Sequence, residues 1–164
     1  MNPKRIAALV SVVFLLSSIA IGQAAELRHI SDDFYVAGQP TAEDIAQFAN
    51  SGGLNVINLR PPSETPDFNE AAVVTEAGMA YYNIPVAGAA GLTHENVELL
   101  DRLLAKLQSQ KTLLHCSSSN RVGAMMALRA NWLHDAGHDE ALAIGKKHGL
   151  TKLQPQVERL LQNN

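Results

Sequence analysis

Chemistry in this 164-residue chain is concentrated in one short segment, Leu113-Leu114-His115-Cys116-Ser117-Ser118-Ser119-Asn120-Arg121-Val122-Gly123, which holds its single cysteine. The segment passes from an apolar strand pattern, through four small polar residues, into a helix pattern. Cys116 thus stands at a strand exit just before a helix N-terminus, where unpaired backbone N–H groups and the helix dipole favour an anion. A free thiol has a pKa near 8.5, and such a place with a cation beside it brings the value to about 7 or below. Arg121 is that cation, with a planar fork suited to two oxygens of a tetrahedral anion held over the sulfur. Ser117, Ser118 and Ser119 are small enough for a tight loop, and Asn120 tolerates the left-handed backbone such a loop demands. The plainer reading is a core cysteine followed by a polar turn. His115 falls on the opposite side of its strand by the two-residue period and takes no proton-transfer role.

The elements that must position this loop alternate strand with helix. Phe34 to Val36 forms a short strand; Thr41 starts a helix with Asp44 in an imperfect capping box, stopped by Gly52-Gly53. Asn55 to Leu59 is a β-branched run leading into Pro61-Pro62, and Phe68 to Glu76 is helical. Tyr81 to Val86 is a strand that runs into a flexible Ala87-to-Gly91 segment, and Thr93 caps a helix through about Gln108. Thr112 to His115 is a strand, and helices follow over Arg121 to Ala136, Asp139 to His148 and Gln154 to Gln162. This order predicts an α/β fold with a mostly parallel central sheet flanked by helices. Such sheets bind ligands at the carboxyl ends of their strands, where Cys116 lies.

Net charge is −3 with eight aromatic residues and no basic run, which argues against a nucleic-acid partner. Lys4 and Arg5, the apolar run Ile6 to Ile21 and the small residues Gly22-Gln23-Ala24 predict a signal peptide over 1–24 and a single domain over 25–164. The mature protein is then expected to be exported, periplasmic or secreted, and free of the membrane. Alone in an oxidising compartment, Cys116 has no partner within the chain for a disulfide. His134 and His138 are four apart, but Gly137 breaks their helix face, so no metal is expected. Lys146-Lys147-His148 and Lys152 read as a solvated face, and Trp132 as core packing.

The chain resembles the beta-lactamase-hydrolase-like phosphatase family, within the dual-specificity, cysteine-dependent tyrosine phosphatase-like group. The likeness runs through four blocks in order: Tyr35 to Asp44, Val56 to Pro61, Tyr82 to Val86, and His115-Cys116 through Arg121 to Ala124. It implies a cysteine phosphatase-like three-layer architecture, with Cys116 as a nucleophile carrying a thiophosphate intermediate and Arg121 binding the phosphoryl oxygens. It further implies that Ser117, Ser118, Ser119 and Asn120 supply loop amides, that Arg60 sits near the substrate, and that no cofactor is needed.

Three features depart from that pattern. The loop has four residues between cysteine and arginine instead of five and lacks a glycine, Val122 replaces a hydroxyl residue, and no aspartate stands between Val86 and Gly91. A proton donor for the leaving group must then come from Glu64, Asp67 or Glu70, or from His94 or Glu95; Glu70 and Glu95 read better as first-turn helix residues that favour the dipole, and Asp67 is taken as the catalytic acid. Arg60 fits equally a structural pairing with Glu64 or Asp67. The four-residue loop also resembles that of rhodanese sulfurtransferases, where a sulfur leaving group has less need of an acid. The expected activity is an exported phosphate-monoester hydrolase acting on a phosphorylated protein or small aryl phosphate. Sulfur transfer on Cys116 with a sulfur-donating substrate, or non-catalytic oxyanion binding, are the alternatives.

Overall fold

The computed structural model describes residues 26–163. The expected signal peptide over 1–24 lies outside them. Among the described residues no helix is long and apolar enough to cross a membrane.

Five strands form one sheet in the order β1-β2-β5-β3-β4. These are β1 (Arg28–Ser31), β2 (Phe34–Ala37), β3 (Asn55–Asn58), β4 (Ala80–Asn83) and β5 (Thr112–His115). All pairings are parallel except the β1–β2 hairpin. The helices are α1 (Ala42–Asn50), α2 (Glu70–Glu76), α3 (His94–Lys106), α4 (Asn120–His134), α5 (His138–Lys147) and α6 (Gln154–Gln162). The two-residue period of the strands sorts them into three layers. Ala37, Val56 and Leu113 pack with Ile45, Phe48 and Val74 of α1 and α2 on one face. Val36, Ile57 and Leu114 pack on the other with α3 through α6. The expected α/β three-layer architecture is the observed one.

Local chemistry explains most boundaries. The Thr41 box is complete: Asp44 N–H donates to Thr41 Oγ1 at 3.1 Å, and Thr41 N–H donates to Asp44 Oδ2 at 2.8 Å. Asn69 caps α2 and Thr93 caps α3 through their side-chain oxygens. α2 therefore begins two residues later than the pattern over Phe68 to Glu76 suggested. β4 ends at Asn83, short of the expected Val86, because Pro85 has no N–H for the ladder. Asn83 Nδ2 instead ties the strand end to the carbonyls of Asn58 and Arg60, both at 2.9 Å. Gly88–Gly91, expected as a flexible stretch, is a 3-10 turn with Gly91 buried.

β1 was not expected from the sequence. Arg28-His29-Ile30-Ser31 has no apolar alternation and is mostly exposed; it is a strand because β2 supplies the pairing. His148 also differs from expectation. It is buried while Lys146, Lys147 and Lys152 are exposed. Its Nδ1 lies 2.7 Å from the Ile144 carbonyl and its ring 6.0 Å from Phe34. Burial is the main cause that holds its pKa below the usual histidine value, with Lys147, Arg129 and Arg28 adding repulsion and the Ile144 hydrogen bond opposing. The folded state thus prefers neutral His148, and its contribution is complete above pH of about 6.5 and lost as pH falls through the depressed folded value. Denaturant midpoints are expected to drop between pH 7 and 5, and His148→Gln to flatten that part of the curve. An unchanged slope in the variant would remove His148 from the account.

Candidate active site

β5 is central, so its end is flanked on both sides. His115 is in register with Ala37 of β2 and Asn58 of β3. Beyond it, Cys116 N–H donates to the Ala37 carbonyl at 3.4 Å and Leu59 N–H to the His115 carbonyl at 2.9 Å. Gly38 bridges Ser118, and Gln39 N–H donates to Ser117 O at 3.3 Å. A Cβ on Gly38 would stand 3.1 Å from Ser117 O, so a residue without one lets β2 lie close against the loop. Cys116 has no exposed surface, Ser117 and Ser118 are exposed, and Ser119 is buried.

Ser119 carries the left-handed turn, at φ 62°, that was expected at Asn120. Asn120 is the first residue of α4, and its Oδ1 accepts from Thr151 N–H at 2.9 Å and Leu153 N–H at 3.2 Å. That anchoring draws Asn120 into the helix and moves the strained conformation one residue back. Gly149, at φ 102°, makes room, since a Cβ there would lie 2.5 Å from Ser119 Cβ. The N–H groups of Asn120, Arg121 and Val122 are those that helix geometry leaves without intrahelical acceptors.

Arg121 is buried, and both of its Nη atoms are fully engaged. Nη1 donates to Glu64 Oε1 at 2.7 Å and to the Val86 carbonyl at 2.9 Å. Nη2 donates to Glu64 Oε2 at 2.7 Å and to Ser117 Oγ at 3.2 Å. Burial opposes the charge on Arg121, but Glu64 and the Cys116 sulfur together outweigh it and raise its pKa. The guanidinium charge is thus supported from both sides of the loop, by Glu64 and by the Cys116 sulfur. Arg60 grips the same carboxylate, with Nε 3.0 Å from Glu64 Oε2, Nη2 2.8 Å from the Glu64 carbonyl and Nη1 2.5 Å from Gln39 Oε1. Arg121 hydrogen bonding, ahead of partial burial that opposes it and the Arg60 contact that assists, holds the Glu64 carboxyl below the usual carboxylate range. Glu64 is thus ionised here, which does not suit it as a proton donor. Arg60 thus makes the structural pairing with Glu64, and the same carboxylate is the partner of Arg121.

Behind the loop lies a buried polar cluster that the pattern of residues alone did not disclose. Glu70 Oε2 accepts from Gln39 Nε2 at 3.0 Å and Asn58 Nδ2 at 3.1 Å, and Asn58 Oδ1 accepts from Arg60 N–H at 2.7 Å. Glu70 Oε1 is 2.5 Å from His115 Nε2, an ion-pair distance in which neither atom has hydrogen-bond alignment. Glu70 stands in the first turn of α2, but its carboxylate is 3% exposed. The only sequence signal for this role was an acid, two amides and a histidine on or beside apolar elements. Glu70→Ala would leave Gln39, Asn58 and His115 facing a buried void, and a stability loss of about 3 kcal/mol in urea denaturation is expected. A loss under about 1 kcal/mol would mean that water replaces the carboxylate.

Asp67 lies in the exposed part of the loop before α2 and has no hydrogen bond or ion pair among the described residues. His134 is paired through Nε2 with Asp101 Oδ1 at 2.8 Å, alongside Arg129 at 2.7 Å. Trp132 is half-buried and stacks on His94 at 3.8 Å between ring centroids.

A parallel β-α sheet whose central strand ends in a buried cysteine, followed by a tight loop and an inward arginine at a helix start, defines a cysteine phosphatase-like fold. Residues 26–131 match the family described as beta-lactamase hydrolase-like protein, phosphatase-like domain, and the chain belongs to that family. A beta-lactamase hydrolase-like protein of Xylella fastidiosa is 32% identical over 124 residues, which are 73% of this chain and 28% of that protein. The chain thus spans under a third of that relative's length. Among solved structures, one from Neisseria meningitidis z2491, assigned as a phosphatase, superposes with a TM-score of 0.65 at 24% identity. The match covers 84% of this chain and 96% of that one. Tk-PTP in its active form superposes with a TM-score of 0.63 at 19% identity, over 86% of this chain and 97% of that one.

Proposed function

We propose that this chain is an exported cysteine-dependent hydrolase of phosphate monoesters, taking a phosphorylated protein or a small aryl phosphate. The observation that carries the reading is the buried Arg121 guanidinium at the start of α4, bonded to Ser117 Oγ in the loop that follows Cys116. A cation and helix-start N–H groups at one place favour a bound oxyanion beside the Cys116 sulfur. The thiolate attacks phosphorus, an S–P bond forms, and the P–O bond to the leaving group breaks. Water then attacks the phosphorus, the S–P bond breaks, and orthophosphate leaves with the thiolate restored. Arg121 and the loop amides of Ser117 to Asn120 carry the charge on the phosphoryl oxygens in both steps. Asp67 is assigned the leaving-group proton, because Glu64 and Glu70 in the same region are both engaged by other side chains. Export follows from the basic start and apolar run before Ala24.

Sulfur transfer is retained as a second reading, on the four-residue loop and on the carboxylate that already fills the Arg121 fork. A persulfide on Cys116 carries one negative charge and makes less demand on that fork than a phosphoryl group. One assay separates the two. Reduced protein is given an aryl phosphate, whose leaving group needs little protonation, in parallel with thiosulfate and an acceptor thiol. Phosphate release that orthophosphate inhibits supports the hydrolase. Thiosulfate-dependent sulfur transfer without phosphate release would sink it, and silence in both arms would leave the site a binder of oxyanions.

A further inference from the structure

An arginine side chain has five N–H donors, four of them on the two Nη atoms. In Arg121 those four meet four acceptors: two Glu64 oxygens, the Val86 carbonyl and Ser117 Oγ. A two-point grip on an oxyanion uses either the Nη1/Nη2 edge or the Nε/Nη edge, and each draws on an Nη hydrogen already given away. The ligand must therefore take the place of a resident acceptor. Of these, Val86 O is main chain, fixed where Val86 N–H pairs with Leu59 O at 2.9 Å, and Ser117 Oγ holds a single Nη2 hydrogen; the Glu64 carboxylate takes one hydrogen from each Nη, is part-exposed at 33% and lies on a surface turn, so only its departure opens the Nη1/Nη2 edge. Glu64 already has somewhere to go. Its Oε2 is shared with Arg60 Nε, and its own carbonyl is held by Arg60 Nη2, so the loop stays attached to Arg60 when the carboxylate lets go of Arg121.

We propose that Glu64 is a resident competitor for the oxyanion seat of Arg121, displaced onto Arg60 when a phosphoryl group binds and returned when orthophosphate leaves. This rests on the reading of Cys116 and Arg121 as an oxyanion site and adds to it a specificity and release role for a carboxylate. Tethered beside Arg121 by the turn after β3, the carboxylate competes at a high local concentration and weakens the binding of every dianion that needs the fork. Its effect falls on ground-state binding of substrate and product alike, so it raises KM and limits product inhibition.

The test measures sulfate binding by calorimetry on the full chain with Cys116→Ser, which keeps chemistry out of the readout. Sulfate is compared in that parent and with added Glu64→Gln, Glu64→Ala or Arg121→Ala. Removing the competing charge is expected to tighten sulfate by about tenfold in both Glu64 variants, while Arg121→Ala abolishes binding. In the active protein, Glu64→Gln is expected to lower KM for an aryl phosphate and the inhibition constant of orthophosphate together. Glu64 variants that bind sulfate equally or more weakly than the parent would overturn the proposal and make Glu64 a support for Arg121. Sulfate binding that is absent throughout, or indifferent to Arg121→Ala, would instead overturn the oxyanion site itself, and this proposal with it.

Discussion

Cys116→Ser is expected to lower turnover of an aryl phosphate by a factor on the order of 10³ or more while leaving sulfate affinity within about threefold of wild type. The asymmetry comes from what each property needs. Anion binding draws on Arg121 and on the N–H groups at the start of α4, none of which the substitution touches. Attack on phosphorus needs an ionised, polarisable nucleophile, and a serine hydroxyl at the same point stays protonated near neutral pH. Cys116 is fully buried among Val36, Leu114 and Val122. The hydroxyl therefore adds a polar group to an apolar wall, at a cost of about 1 kcal/mol or somewhat more if it finds no partner. That is too little to unfold a domain of this size. Steady-state assay with calorimetry on the same preparation decides the matter. A variant retaining a tenth of the activity would show that Cys116 is not the nucleophile, and one that loses sulfate binding as well would show that the loop had rearranged.

Gly123→Ala should be the most damaging single change in stability. A Cβ at Gly123 would stand 2.1 Å from Leu150 N, 2.6 Å from Leu150 Cα and 2.6 Å from Gly145 O. All three are main-chain atoms, and Leu150 N–H donates to Gly145 O at 2.9 Å, so the turn that ends α5 cannot swing aside like a flexible side chain. Gly145 faces back, where a Cβ would lie 2.9 Å from both Ala127 Cβ and Gly123 O. The two glycines let α4 and α5 touch backbone to backbone. Separating them also strains the grip on Thr151 and Leu153 of Asn120, which stands three residues before Gly123 and beside Arg121. A loss of about 3 kcal/mol or more is expected, equivalent to a fall in Tm of roughly 10 °C, or failure to fold. Gly137→Ala is the contrast. Nothing lies within 4 Å of its Cβ position, and the change should cost within about 1 kcal/mol, mainly from a poorer helix cap. Equal effects at the two sites would mean that the α4–α5 contact is looser than these distances imply.

The helices and inner strands were legible because the patterns that specify them are local. Apolar residues at helical or alternating spacing, Thr41, Thr93 and Gly52 each act within one turn of chain. The loop after β5 was legible for the same reason, since Cys116 through Arg121 are contiguous and lie between a strand pattern and a helix pattern. β1 escaped because its residues have no pattern of their own. Ser119 rather than Asn120 took the left-handed turn because Asn120 is held by residues 31 and 33 positions away.

The sequence by itself thus determined the layered α/β order and the thiol–arginine pair at a strand exit. Tertiary structure alone decided what those two groups meet. Glu64 reaches Arg121 across 57 residues, Val86 reaches it across 35, and Glu70 meets His115 from the helix layer beneath the loop. Those meetings exist because β5 is inserted between β2 and β3, which brings the ends of three strands and the loops that follow them to one point. Strand order is a property of the whole sheet, set by which faces bury together, and no spacing within a single segment encodes it.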